Sequence, residues 1–140
     1  MKKKVFISFD YEKNRQYRYL LDAWNANQEF DFSFRDNTPD EIQSYNIPTI
    51  KAGLTRKINS SDCVLVIIGE EANKMHHNWQ EIGFRNWQNF EIAKAKELRI
   101  PIVAVKINYT YESPSEILNS GAKWVYSFTT SEIMNAIRSV

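Results

Sequence analysis

The stretch Ser60-Ser61-Asp62-Cys63-Val64-Leu65-Val66-Ile67-Ile68-Gly69 decides the fold of this chain. Its centre is a continuous apolar run, mostly of β-branched residues, that lies between a polar break and a glycine. Such a short run is typical of a central strand that helices cover on both faces. It therefore predicts an α/β protein with a largely parallel sheet.

On either side of this strand, further apolar runs alternate with helical patterns. Other strands are predicted at residues 5–9, 30–34, 102–105 and 124–126. Helices are predicted where apolar residues recur every three or four positions: from Tyr17 to Trp24, from Pro48 through Ile50, Leu54 and Ile58, from Trp87 to Leu98, and after a cap at Thr129 or Thr130 with Ile133, Met134 and Ile137 inward. The Trp87 helix is expected to turn Phe90, Ala93 and Leu98 inward. Residues 70–86 are expected to form a long loop with room for one helical turn.

Five strands that alternate with helices predict a parallel sheet with right-handed crossovers. The second strand, with one polar face, and the short fifth strand resemble edge strands. This favours a flavodoxin-like three-layer fold with the strand order 2-1-3-4-5. Ligands in such a fold bind beyond the carboxyl ends of strands one and three, so we expect the site around residues 8–11 and 69–71, the long loop and the first turns of the Trp87 helix.

The composition is that of one domain over residues 1–140, with 43% hydrophobic and 25% charged residues. Cys63 is the single cysteine, which excludes an intrachain disulfide and a four-cysteine zinc site. Eighteen basic and seventeen acidic residues give a net charge of +1, too little for a general nucleic-acid-binding surface. No apolar run approaches the ~20 residues that span a bilayer. We therefore expect a cytoplasmic protein with neither nucleic acid nor membrane as a partner.

Several common catalytic motifs are missing. The four glycines, at 53, 69, 83 and 121, cannot form a G-x-G-x-x-G fingerprint or a phosphate-binding P-loop. There is no G-x-S-x-G nucleophile elbow. A receiver domain needs an acceptor aspartate after strand three, where this chain has Gly69-Glu70-Glu71. The adjacent His76 and His77 are expected to be a polar loop pair, since neighbouring residues do not converge on a metal as an i, i+4 pair does.

Trp87 and Glu91 form the clearest candidate pair. They are four residues apart at the start of a helix, so their side chains share one face near the predicted crevice. The helix dipole favours an ionised carboxylate near a helix N-terminus by ~0.3–1 kcal/mol at an exposed site. An aromatic ring one turn away offers a stacking plane for a flat ligand such as adenine or nicotinamide. The same spacing also fits an ordinary helix in which Trp87 anchors the core and Glu91 is a surface charge.

Aromatic residues are unevenly distributed along the chain. They make up 14% of it, and Trp79, Phe84 and Trp87 gather in or beside the long irregular stretch 70–86. Because this stretch lies next to the predicted crevice, we expect these rings to stack on a flat nucleotide.

In the order and spacing of its motifs, the chain resembles the TIR-domain family over nearly its whole length, and within that family the TIR-like subunits of bacterial Thoeris anti-phage systems. The resemblance rests on an opening strand and loop, a loop with Asp40 where the family usually has glycine, the third strand, a W-x-x-x-E helix and the strand after it. The corresponding segments are Lys4–Tyr11, Arg35–Asp40, Ser60–Gly69, Trp87–Ala95 and Ile100–Val105.

This resemblance implies an enzyme that cleaves NAD⁺ as a substrate, without a separate cofactor or a metal. It implies that Glu91 is catalytic and that Trp87 stacks on the ligand. The other expected substrate-binding residues are Ser8, Phe9 and Asp10 along one wall, Asp36 and Asn37 from the next loop, and Gly69 after strand three. The implied product is a cyclic ADP-ribose isomer that signals to a separate effector in anti-phage immunity, and self-association through TIR contacts is expected.

Two alternatives remain open from the sequence. One is a non-catalytic TIR scaffold that signals only through contacts between domains. The other is a nucleoside deoxyribosyltransferase, which shares the fold and also uses a carboxylate at a ribose centre.

Overall fold

A five-stranded parallel sheet forms the centre of this computed structural model, which describes residues 3–9, 32–36 and 46–140. The strands are β1 (Lys3–Ser8), β2 (Phe32–Asp36), β3 (Cys63–Ile68), β4 (Ile102–Lys106) and β5 (Lys123–Val125). They are arranged in the order β2-β1-β3-β4-β5, and every pair is parallel. The predicted flavodoxin-like α/β fold and its strand order are confirmed.

Helices in the described part of the chain connect and cover these strands. They are α1 (Ile47–Asn59), the single turn α2 (Trp79–Ile82), α3 (Trp87–Glu97) and α4 (Thr130–Arg138), with a short 3₁₀ helix at Ser115–Ile117. None of the helices described is both long enough and apolar enough to cross a membrane.

The sheet register places the reversal of strand order between β1 and β3. In β1, Val5 pairs with Phe34 of β2 on one side and with Cys63 of β3 on the other. In sheets of this type, a reversal of strand order opens a crevice beyond the carboxyl ends of the two strands where it occurs. Ser8 and Ile68 are the last residues of the two strands there.

Two apolar clusters, one on each face of the sheet, form the core. Alternate residues of the inner strands, such as Val5, Ile7 and Leu65, pack with α4 on one face. Their neighbours, such as Phe6 and Val64, pack with α1 and α3 on the other. Because both faces are covered, β3 is buried at all six positions, as its apolar run predicts.

The helix starting near Pro48 agrees closely with its prediction. Ile47 begins α1, Pro48 follows within its first two residues, and the Asn46 side chain accepts a hydrogen bond from the Thr49 amide as an N-cap. The predicted inner residues Ile50, Leu54 and Ile58 are all buried. The last helix also begins as predicted, with Thr129 as its cap and with Ile133, Met134 and Ile137 buried.

The inner face predicted for the Trp87 helix is partly wrong. Phe90 is buried, but Ala93 and Leu98 are only half-buried. The most deeply buried positions of α3 include three polar residues, Gln88, Asn89 and Glu91. Hydrophobic periodicity cannot find such positions, because what permits their burial is hydrogen bonding to main-chain and side-chain groups nearby.

Smaller differences occur at the ends of elements. The fifth strand runs one residue earlier than predicted, and Tyr126 is 93% exposed. Residues 70–86 contain one helical turn, α2, which ends at Gly83 with φ of +83°, a conformation that suits glycine. The predicted helix from Tyr17 to Trp24 and the loop at 37–40 lie outside the described residues.

Candidate functional site

The end of β1 and the second turn of α3 meet at the switch point of the sheet. Successive strand residues point to opposite faces, so Ser8 lies on the same face as Phe6, the face that α3 covers. The Ser8 hydroxyl donates a hydrogen bond to Oε1 of Glu91 at 2.7 Å. The two residues are only 1% and 4% exposed, respectively. The structure therefore buries the candidate catalytic carboxylate against the end of the first strand.

Glu91 is the fifth residue of α3, beyond its first turn. The effect of a helix dipole falls off within that turn. The dipole therefore contributes less to the stability of the Glu91 carboxylate than its predicted position near the helix N-terminus suggests. Direct contacts, including the one with the Ser8 hydroxyl, hold it instead. A hydrogen bond to an ionised group is about twice as strong as a neutral one.

Gln88, one turn before Glu91, connects α3 to the two strands at the switch point. Its Nε2 donates to the main-chain carbonyl of Ser8 and to that of Ile67, both at 2.9 Å. It is one of the buried polar residues of the helix. Ser8 is thus fixed twice from the same helix, through its carbonyl by Gln88 and through its hydroxyl by Glu91.

Three asparagines fasten the segment 70–86 to α3. Asn86 caps the helix by accepting from the Asn89 amide at 2.8 Å, and its Nδ2 donates to the carbonyls of Ala72 and Lys74. The Asn89 side chain, 1% exposed, donates to Oδ1 of Asn73 and to Oδ1 of Asn86. This network makes the segment a fixed wall beside α3.

The same network reaches the connection between β4 and β5. Oδ1 of Asn89 accepts from the Glu116 amide at 2.9 Å, and Oδ1 of Asn73 accepts from both the amide and the hydroxyl of Ser115. Nδ2 of Asn73 donates to Glu112. Sequence reasoning missed this network and Gln88. The one feature of the sequence that could have indicated them is a cluster of amide side chains in a helix that has to cover the most apolar strand.

The aromatic side chains of this region pack mainly on one another. The rings of Phe84 and Trp87 meet that of Phe90 edge to face, with centroids 5.9 and 5.6 Å apart. Both pack against the apolar cluster on the α1 and α3 face. Trp79, in contrast, is 42% exposed. Packing on Phe90 gives Phe84 and Trp87 a structural role, and ligand stacking by Trp87 stays a prediction.

The other predicted site residues are placed as follows. Phe9 packs in the apolar cluster on the α4 face, on the opposite side of the sheet from Glu91. Gly69 is buried directly after β3, and its carbonyl accepts from the Ala72 amide in a turn. Asp36 is the last residue of β2, with its backbone alone described. Asp10 and Asn37 lie outside the described residues.

The remaining polar candidates have local partners. The His76 and His77 rings stack with centroids 4.3 Å apart, and Nδ1 of His76 accepts from the Asn78 amide. No group of three or more His, Cys, Asp or Glu side chains among residues 3–9, 32–36 and 46–140 is arranged to hold a metal ion. Burial raises the pKa of the Cys63 thiol to about 12, which makes it a poor nucleophile.

Chemically, this arrangement offers a buried carboxylate beside a hydroxyl at the carboxyl end of β1. A carboxylate in a site of low dielectric can stabilise positive charge that develops on a bound ligand. It can also accept hydrogen bonds from ligand hydroxyls. The geometry therefore suits chemistry at a sugar carbon that becomes cationic.

Comparison with known proteins agrees with this fold. The model of the family described as "Thoeris protein ThsB, TIR-like domain" matches residues 6–112. The structure of a prokaryotic SEFIR domain is similar with a TM-score of 0.58 and 15% identity, over 99% of this chain and 95% of that one.

Two deoxyribosyltransferases have a similar fold. The 2-deoxyribosyltransferase of Bacillus psychrosaccharolyticus is similar with a TM-score of 0.57 and 12% identity, over 98% of this chain and 91% of that one. The enzyme described as a 2-desoxiribosyltransferase from Leishmania mexicana has a TM-score of 0.55 and 13% identity, over 96% and 95%. At these identities the likeness concerns the fold alone. No curated protein sequence matches the chain significantly.

Proposed function

The chain belongs to the TIR-like domain family of the Thoeris protein ThsB, and from this premise we propose that it is an NAD⁺-cleaving enzyme of anti-phage defence. The proposed reaction releases nicotinamide and produces a cyclic ADP-ribose-type signal. The observation that carries the proposal is the burial of Glu91 against the Ser8 hydroxyl at the switch point of the sheet. Burying a carboxylate has a large free-energy cost, so a helix that served only for packing would not favour one there.

The proposed chemistry begins with cleavage of the bond between the nicotinamide nitrogen and the ribose C1′ atom. The electron pair of this bond moves to the nitrogen, nicotinamide leaves as a neutral molecule, and positive charge develops on the ribose. Glu91 stabilises that charge and holds a ribose hydroxyl, as carboxylates do in glycoside cleavage. The Ser8 hydroxyl fixes the position of the carboxylate.

The second step is attack on C1′ by a nucleophile. When a hydroxyl of the ADP-ribose itself attacks, it loses its proton and a cyclic isomer forms, and attack by an adenine nitrogen also closes a ring. When water attacks, the product is ADP-ribose. Membership of the Thoeris family supports the cyclic product, which would act on a separate effector protein, and self-association of the domain is part of this proposal.

The test is release of nicotinamide from NAD⁺, measured by HPLC, with the wild-type protein and Glu91→Gln. Loss of one electrostatic stabiliser typically lowers kcat about 10²–10³-fold, so we expect at least that loss in the variant. Glu97→Gln is the matched control, since Glu97 is on the same helix but exposed and paired with Lys94. Turnover by Glu91→Gln at the wild-type rate contradicts the assignment of Glu91.

The assay also has to separate the alternatives. Mass spectrometry of nucleotides from cells that express the protein, with and without phage infection, extends the test to a protein that needs a trigger. A scaffold that acts only through domain contacts gives no NAD⁺ turnover under either condition. A deoxyribosyltransferase exchanges bases between two nucleosides without NAD⁺.

A further inference from the structure

Gln88 has a buried acceptor atom that nothing in the described part of the chain uses. Its Oε1 is shielded from solvent, and none of the described residues donates a hydrogen bond to it. The side chain is 94% buried, since its relative exposure is 6%. An unsatisfied buried acceptor is costly in free energy and calls for an explanation.

The orientation of the amide is set by its neighbours. Nε2 uses both of its hydrogens, one on the Ser8 carbonyl and one on the Ile67 carbonyl. Exchanging the nitrogen and oxygen would place Oε1 against two carbonyl oxygens, which have no hydrogen to offer. The acceptor therefore cannot find a partner by flipping without breaking two hydrogen bonds.

The acceptor lies close to the proposed catalytic group. Gln88 and Glu91 are three residues apart on α3, so they are neighbours on the helix surface. Both bind the same residue, Gln88 through the Ser8 carbonyl and Glu91 through the Ser8 hydroxyl. Two acceptors are thus held together at the end of β1.

We propose that Gln88 is a specificity-determining residue whose Oε1 accepts a hydrogen bond from a ribose hydroxyl of the ligand. This rests on the proposed function, in which Glu91 acts at the same ribose. A ribose has two adjacent hydroxyl donors, and a carboxylate together with an amide oxygen supplies one acceptor for each. The site then favours ribosides over their deoxy counterparts, because a missing hydroxyl leaves a buried acceptor without a partner.

The experiment compares NAD⁺ with analogues that lack the 2′ or the 3′ hydroxyl of the nicotinamide ribose, for the wild type and Gln88→Met. Methionine keeps the length of the side chain and removes the amide. We expect wild-type kcat/KM to fall at least about tenfold for each analogue. In Gln88→Met, one of the two analogues should be cleaved as well as NAD⁺, since the hydroxyl it lacks has no partner left to lose.

A purely structural role of Gln88 gives a different result. If the amide serves only to tie α3 to Ser8 and Ile67, the substitution lowers kcat/KM by the same factor for NAD⁺ and for both analogues. The assignment is therefore overturned if, for each analogue, the ratio of its kcat/KM to that of NAD⁺ is the same in Gln88→Met as in the wild type.

A second measurement does not require the variant to fold. Carba-NAD⁺, in which a methylene replaces the oxygen of the nicotinamide ribose ring, keeps both hydroxyls and resists cleavage. On its titration into the wild type, we expect the Gln88 side-chain amide resonances to shift, because Oε1 gains a donor. Binding without such a shift contradicts the role of Gln88 alone. Absence of carba-NAD⁺ binding, together with absence of NAD⁺ cleavage both by the purified wild type and in phage-infected cells that express it, contradicts the proposed function and, with it, this assignment.

Discussion

The helices α3 and α4 lie on opposite faces of the same sheet and are held there by different forces. The buried residues of α4 are Ile133, Met134, Ala136 and Ile137, all apolar. Half of those of α3 are polar, and these residues bind strand ends and loops through hydrogen bonds. Hydrophobic burial is non-directional and tolerates small shifts, whereas hydrogen bonds fix atoms in place. The buried residues of α4 therefore contribute stability, whereas the buried polar residues of α3 also fix the positions of the groups they bind.

Among the substitutions that compare the two helices, the largest effect on stability should come from the apolar residues of α4. Ile133→Ala removes a fully buried side chain and should lower the free energy of unfolding by about 2–5 kcal/mol. Chemical denaturation measures the loss, and Asn135→Ala on the exposed side of the helix should change it by less than about 0.5 kcal/mol. Activity of the folded fraction should be unchanged. A loss below about 1 kcal/mol would contradict the assignment of α4 as a stabilising element.

The caps of the two helices offer a matched pair of intermediate effect. Oγ1 of Thr129 accepts from the Glu132 amide at 3.4 Å, so Thr129→Ala should cost about 0.5–1 kcal/mol. Asn86 caps α3 at 2.8 Å and also holds the carbonyls of Ala72 and Lys74, so Asn86→Ala should cost about 2 kcal/mol.

The readout for the caps is denaturation together with hydrogen exchange. Exchange of the Ala72 and Lys74 segment should accelerate in Asn86→Ala, while exchange in α4 should accelerate in Thr129→Ala. Equal costs for the two substitutions would mean that the asparagine network adds nothing to the cap.

The last effect is negligible at neutral pH and concerns a titratable group on the α4 face, the Cys63 thiol. Burial, partly offset by Lys3, raises the pKa of the Cys63 thiol from 9.0 to about 12. Above pH 9 the unfolded chain ionises this thiol while the folded protein keeps it protonated, so stability falls as the pH rises from 9 towards 12. Between pH 8 and 10 the wild type should lose about 1.3 kcal/mol more of its unfolding free energy than Cys63→Ala does. Parallel pH profiles would show that the thiol already ionises in the folded state.

The division between the two faces also explains how far the sequence could be interpreted. Apolar periodicity predicts β3, α1 and α4 well, because hydrophobic burial determines their environment. The same reasoning fails on α3, where it predicts Ala93 as an inner residue and overlooks Gln88 and Asn89. A polar side chain is buried only when partners elsewhere in the chain satisfy it, and a local pattern contains no information about distant partners.

The candidate site, like the fold, could be predicted only in part from the sequence. Parallel topology indicates that the ends of β1 and β3 meet, and the W-x-x-x-E spacing draws attention to Glu91. The hydrogen bond from Ser8 to Glu91 depends on strand register and side-chain rotamers, which residue spacing does not determine. The same holds for the two hydrogen bonds from Gln88 to the strand carbonyls. Trp87 illustrates the reverse case, since its spacing from Glu91 indicates a ligand contact while its ring packs on Phe90.

The place of β1 in the sheet has a consequence for synthesis on the ribosome. Both of its neighbours, β2 and β3, follow it in the chain, so β1 emerges with two unpaired edges and must wait for them. Exposed apolar strand edges attract other chains. Lys3 and Lys4 at its start bring charge to this strand, which disfavours such pairing in the nascent protein. In the folded protein, Lys3 also ties β1 to α4, since its ammonium group donates to the carbonyls of Ile137 in the last turn of the helix and of Val140 just after it.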